Sequence, residues 1–270
     1  MTISTEDQLI AGLQSPETIF KTTFTGVAGG QFHSPQYVAG RPGAMTAPSS
    51  GLAGATVTSS RAGMLPLTAA VSGQQIYLAG FDAAQGGNVG AVLIVDRLWD
   101  NSGISVTTTT GQTVNSATWP TRDASGSTAG AGILVGVEVS ATLGNGAVAN
   151  TTLTYTNSAG VASRTGTIAS FPAAAVVGTF VPFALAAGDV GIRSIQTLTL
   201  GTSYVSGTMH LVAYRILAIL PTPTANLGNA QDFLQLGLPK VWDASALQPL
   251  YLLSGTAGGA VTGSLNYAQG

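Results

Sequence analysis

A chain of 270 residues hides about three quarters of its unfolded surface on folding, so a full hydrophobic core is within reach. Only 7% of its residues are Asp, Glu, Lys or Arg, against about 25% in typical soluble domains, and the net charge is -2. Arg41, Arg61, Arg97, Arg122, Arg164, Arg193 and Arg215 are scattered, which excludes a field for nucleic acid, and the absence of cysteine excludes disulfides and thiolate metal sites.

A surface so poor in charge must be wetted by Thr, Ser, Asn and Gln or covered by neighbours. The stretch from Met1 to Gln14 lacks a basic and an apolar region, so no secretory signal is expected. The most apolar run, Leu211 to Leu220, contains Arg215 and is far shorter than the roughly 20 residues of a spanning helix, so no membrane partner is expected. Without a signal and with irregular strand spacing, an outer-membrane barrel is disfavoured too.

Thr5-Glu6-Asp7-Gln8, followed by Leu9, Ile10 and Leu13, predicts a short helix over 6–13 with a hydroxyl cap. Ser15-Pro16-Glu17 predicts a second turn through Phe20. Lys21 to Leu65 is rich in Gly, Ala, Ser, Thr and Pro without helical period, and a linker gains nothing from Phe24, Phe32 and Tyr37. The segment reads as an extended docking arm, these aromatics being candidate assembly contacts.

Strands are expected over 75–80, 91–99, 103–110, 133–143, 151–157, 161–168, 192–200 and 207–220. Ile133, Val135, Val137 and Val139 alternate with Leu134, Gly136, Glu138 and Ser140, which puts one apolar face on a core and points Glu138 outward. Asn157-Ser158-Ala159-Gly160 closes a hairpin. Asn229 is the expected cap of a helix over 230–236, which Gly237 ends and Pro239 bars from continuing. Two β segments follow, 247–253 with Tyr251 and 261–267, in a region suited to exchange between subunits. Trp242 and Tyr251 complete the candidate assembly contacts. The expected fold is mainly β, an antiparallel β-sandwich (jelly-roll or Ig-like) over 66–222, with an N-terminal helix and arm over 1–65 and a C-terminal helix with β segments over 223–270.

Chemistry finds little purchase. His33 and His210 have no sequence partners, no nucleophile elbow precedes a helix, and Gly130 to Gly136 feeds a strand where a phosphate cradle needs a helix. Asp96 and Asp100 flank Trp99, but read more simply as a strand-end ion pair of Asp96 with Arg97 and a turn at Asp100-Asn101-Ser102-Gly103. Asn150-Thr151-Thr152 fits a glycosylation triplet by pattern alone. No catalytic residue, metal or cofactor is expected.

Asp96-Arg97-Leu98-Trp99, Tyr155-Thr156-Asn157 leading to Arg164-Thr165-Gly166-Thr167, Leu211 to Arg215, and Asp232 to Trp242 followed by Asp243-Ala244-Ser245-Ala246-Leu247 together resemble a family of tailed-bacteriophage virion structural proteins. The likeness covers roughly residues 90–250 and carries no active-site residues. It implies a capsid decoration or cement subunit, made in the host cytoplasm and placed on the virion, with the major capsid protein and copies of itself as partners. The alternative is a tail or adhesin module that binds a host glycan through Trp99, Trp119 or Trp242.

Overall fold

A strand places alternate side chains on opposite faces, so each apolar alternation must find a layer to pack against. The computed structural model describes residues 3–24, 26, 28–87, 89–144, 146–255 and 258–270. Its first strands are β1 (Glu17–Lys21), β2 (Phe32–His33), β3 (Gly40–Arg41), β4 (Ala55–Thr56), β5 (Ile76–Gln85), β6 (Gly90–Asp100), β7 (Gln112–Thr113) and β8 (Ile133–Ala141). There follow β9 (Val148–Asn157), β10 (Arg164–Phe171), β11 (Thr179–Pro182), β12 (Ile192–Thr199), β13 (Thr208–Thr222), β14 (Gly228–Gln231), β15 (Lys240–Val241), β16 (Leu247–Leu253) and β17 (Val261–Gln269). Two short helices, α1 (Glu6–Gly12) and α2 (Phe233–Leu236), lie near the termini. The chain is thus mainly β, antiparallel and layered, as expected.

The central layer is a closed ring. The first half of β13 pairs with β8 and its second half with β6. From β6 the pairing runs to β16, β2 and β11, and so back to β8. A closed sheet has an inner face that side chains must fill. Ala91, Leu93, Val95, Val212 and Leu250 do so, with Phe180 and Tyr214 edge to face at 5.2 Å. Gly136 is required there, because a Cβ would sit 2.5 Å from the Phe180 ring.

Two sheets pack on the outside of this barrel. Ile133, Val135, Val137 and Val139 of β8 meet Leu153, Tyr155, Ile195 and Leu198 of the sheet ordered β10-β9-β12-β7. Val92, Ile94, Leu220 and Leu247 meet Ile76, Leu78, Phe81 and Leu265 of the sheet ordered β14-β5-β17-β1-β3. Each such fully buried side chain contributes about 1.5–3 kcal/mol.

The structure departs from the expectations at identifiable places. Residues 17–21 form β1, not a helical turn, because five positions pair with β17 and bury Ile19 and Lys21. Residues 103–110 form no strand: the Gln112 side chain receives the Ser105 N–H at 2.8 Å and donates to Ser105 O at 2.9 Å, taking the place of a ladder. Asp232, not Asn229, caps the late helix through a capping box with Gln235, and residues 228–231 pair with β5. Glu138 points into the barrel and is fully buried, since a closed sheet offers its polar face no solvent.

The segment Lys21 to Leu65 is not a free arm. Its β2 belongs to the ring, β3 pairs with β1, β4 pairs with β6, and Val57, Met64 and Leu65 are buried. The exposed surface, 10360 Å², is close to the about 10,800 Å² of a globular monomer of this mass, in keeping with a segment packed against the body of the chain. Its aromatics recover their burial against the chain's own barrel.

Candidate assembly surface

Most surfaces are read from what they display; this one is read first from what has been taken away. Of nine basic and eleven acidic residues, eight are buried: Lys21, Asp96, Arg97, Asp100, Arg122, Asp123, Glu138 and Arg215. Asp96 and Arg97 are neighbours on β6 and therefore point to opposite faces of the barrel wall. They do not pair with each other, contrary to the strand-end expectation, and each seeds its own network.

Inside the barrel, Arg97 Nε donates to Asp100 Oδ2 at 2.8 Å and Nη1 to Glu138 Oε2 at 2.9 Å. Tyr37 donates its hydroxyl proton to Glu138 Oε2 at 3.1 Å, and Arg61 reaches Asp100 from the surface. Burial opposes the Arg97 charge, but Glu138 and Asp100 outweigh it and hold the guanidinium protonated more firmly than usual. Burial, then the Glu138 charge, push the Tyr37 hydroxyl well above the ordinary tyrosine range. Outside the barrel wall, Asp96 accepts from Ser245 Oγ at 2.7 Å and from the Ala246 N–H at 2.9 Å, with Arg122 at 3.4 Å and Arg215 at 3.8 Å. Asp123 gathers the 123–131 loop, accepting the N–H groups of Ser125, Ser127, Gly130 and Ala131. These networks fasten irregular segments to the barrel. Arg61 and Asp100 line a surface pocket with Thr46, Ser49 and Ser50, but the fully buried Trp99 between Asp96 and Asp100 leaves no indole there for a sugar to stack on.

The candidate contacts divide by burial. Phe24 stacks on His33 at a centroid distance of 3.9 Å and on Tyr251 at 5.7 Å, so Phe24 and Tyr251 are parts of this chain's core and would have to leave it to touch a neighbour. Tyr37 spends its hydroxyl on Glu138. Phe32 and Trp242 remain half-buried at the periphery. Burial lowers the His33 pKa to about 3, so the ring is neutral. His210 bridges Asn101 O at 2.8 Å and Ser140 Oγ at 2.7 Å as a structural tie. Trp99 and Trp119 pack on each other at 5.3 Å inside the core.

Among the exposed faces two bear on assembly, and neither was singled out by sequence reasoning. One is an end of the barrel, where β2, β6 and β8 begin and β11, β13 and β16 finish. Phe32, Leu134, Ile216 and Leu252 are half-buried there, and Ile219, paired across from Leu93, is 48% exposed. The other is the outer face of the β10-β9-β12-β7 sheet. Its register aligns Thr113, Thr197, Thr154 and Thr165 in one rank across four strands, and Thr199, Thr152 and Thr167 in a second. Thr-x-Thr alternation in 152–156, 165–167 and 197–199 was the available signal.

No family model matches the chain, and no curated protein matches it. Among solved structures, the infectious bursal disease virus VP2 subviral particle aligns over 95% of this chain and 81% of its own, at 9% identity and a TM-score of 0.24. The structure of the Gt strain of the same virus aligns over 95% of this chain and 82% of its own, at 11% identity and a TM-score of 0.20. Superpositions this loose carry no argument about what this chain does.

Proposed function

We propose that this chain is a non-enzymatic structural protein of a tailed-bacteriophage virion, a capsid decoration or cement subunit that contacts the major capsid protein and copies of itself. The observation that supports it is the withdrawal of charge: with eight of the twenty ionisable acids and bases internal, twelve serve 10360 Å² of surface. A free protein keeps its surface well charged for colloidal stability, whereas a subunit that is mostly covered has no such need. The buried acids and bases mostly make structural ties, and the neutral His33 ring stacks on Phe24, which supports a role without catalysis. The glycan-binding alternative loses two of its three indoles to the core, since Trp99 and Trp119 are at most 1% exposed.

The test is to mix the purified chain with shells of the phage that encodes it and to follow binding by cryo-electron microscopy and shell opening by calorimetry. Density on the shell lattice and a raised opening temperature are expected. A chain that stays in solution beside intact shells, or that decorates only tails, sinks the cement reading.

A further inference from the structure

We infer that β2 is a proton-operated latch: protonation of His33 drives this strand out of the ring and opens the barrel between β11 and β16, while the rest of the fold stays in place.

A ring of strands is held no better than at its shortest member. β13 pairs with β6 over ten positions and with β8 over eight, and β16 pairs with β6 over seven. β2 has two residues, with two positions against β11 and two against β16. Among the described residues its flanks add the Ser34 N–H to Gly178 O at 2.7 Å, the Gly30 N–H to Leu253 O at 2.7 Å and the Leu253 N–H to Gln31 O at 3.4 Å. Release of β2 breaks few hydrogen bonds, yet β2 is the strand that joins β11 to β16.

His33 is half of this strand, and its surroundings suit a neutral ring. Phe32 points into the barrel, so His33 points outward, where it lies flat on Phe24 at 3.9 Å with Tyr251 on the same side. His33 is 2% exposed, and neither ring nitrogen has a hydrogen-bond partner among the described residues. The backbone of Gly178, at φ +88°, presses on the ring so closely that a Cβ there would lie 2.3 Å from His33 Cε1. His210 differs, since both of its nitrogens are engaged, by Asn101 O and Ser140 Oγ.

An imidazolium in this place meets no opposite charge. The segments around it, residues 22–40, 172–188 and 248–270, contain no Asp, Glu, Lys or Arg. Their ionisable groups nearest the ring are Tyr37, which gives its proton to Glu138, and Tyr251, which burial keeps neutral. On β8, Glu138 lies on the inner face of the wall and is held by Arg97. On β1, Lys21 is a cation tied to the carbonyls of Val38, Pro42 and Gly43, and it opposes a second positive charge. A surface pocket of 410 Å³, lined by His33 with Thr23, Ser34, Tyr37 and Thr142, gives a proton its route in and a charged ring water to move towards.

Burial lowers the His33 pKa from 6.5 to about 3. Between these values the opened strand, with its ring in water, holds a proton that the closed strand lacks. Closure is therefore firmest above 6.5 and weakens as the pH falls towards 3. Opening becomes about tenfold more frequent per pH unit, or about 100-fold between pH 7.5 and pH 4.5.

Hydrogen exchange of the full chain, corrected for the intrinsic pH dependence of each amide, tests the latch. Residues 30–34 should lose protection about 100-fold between pH 7.5 and pH 4.5, while residues 148–157 and 192–199 keep theirs. His33→Phe retains a ring on Phe24 that cannot titrate, and its residues 30–34 should stay protected over the same range. The imidazole C–H resonances of the parent give a second reading that needs no variant: the His33 ring should gain its proton only in step with the loss of protection. Protection unchanged in the parent, an equal loss in His33→Phe, a loss shared by residues 148–157, or a His33 ring that titrates near 6.5 with residues 30–34 still protected each overturns the latch.

Discussion

Arg97 is wholly buried and charged, which is tenable only because Glu138 and Asp100 meet it at 2.9 and 2.8 Å. Removing one partner strands the other in a water-free interior. Glu138→Leu should therefore cost about 3–5 kcal/mol in urea unfolding, and adding Arg97→Met should restore part of that loss. If the double variant is less stable than Glu138→Leu alone, the pair is not the unit of stabilisation. Lys21 differs in kind. Its Nζ donates only to carbonyls, Pro42 O at 2.7 Å and Val38 O and Gly43 O at 3.3 Å, and burial lowers its pKa from 10.5 to about 8. Between these values the unfolded chain holds a proton that the folded chain has lost, so stability rises with pH from about 8 to 10.5. Below that window the folded protein carries the penalty of a buried ammonium. Urea midpoints of the parent and Lys21→Met, compared across this range, should diverge in slope, and parallel curves would exclude the effect. Buried Tyr251 and Tyr267, whose pKa values burial pushes up, titrate alike in both proteins and cancel.

At the scale of elements, the strands with strict alternation were legible and those set by remote partners were not. Residues 133–139, the hairpin at Asn157 to Gly160 and the late strands 247–253 and 261–267, the last of which runs on to Gln269, follow from local pattern. Period two says which side chains share a face but not whether the opposite face meets water, and this is why Glu138 was placed outward. Ring closure depends on two-residue β2 bridging β11 and β16, and no local signal marks so short a strand. The proposed assembly role was legible only as a shortage of charge. Its location depends on where strands end in space. The same reasoning bears on the N-terminal segment. Residues 1–65 supply β1, which lies between β17 and β3, as well as ring strand β2 and the buried Ile19, Val57 and Leu65. A chain beginning at residue 66 should thus fail to fold, giving no cooperative melt and binding a dye for exposed apolar surface. A sharp melting transition from that fragment would return the segment to the status of an arm.

At the scale of the whole molecule, the few surface charges determine how any assembly responds to its medium. Association between charged surfaces weakens as salt shortens the Debye length from about 10 Å at 0.1 M to about 3 Å at 1 M. Here only twelve of the twenty charged residues remain near the surface. Screening then has little to act on, and burial of apolar side chains is left as the driving term. That term weakens on cooling and strengthens in sulfate, since it arises from the hydration of apolar surface. Self-association followed by sedimentation should accordingly persist in 1 M sodium chloride, tighten in sulfate and loosen towards the freezing point. A sedimentation coefficient that falls steeply between 0.1 and 1 M sodium chloride would place the contact on Arg41, Arg193, Lys240 and the surface acids instead of on apolar surface.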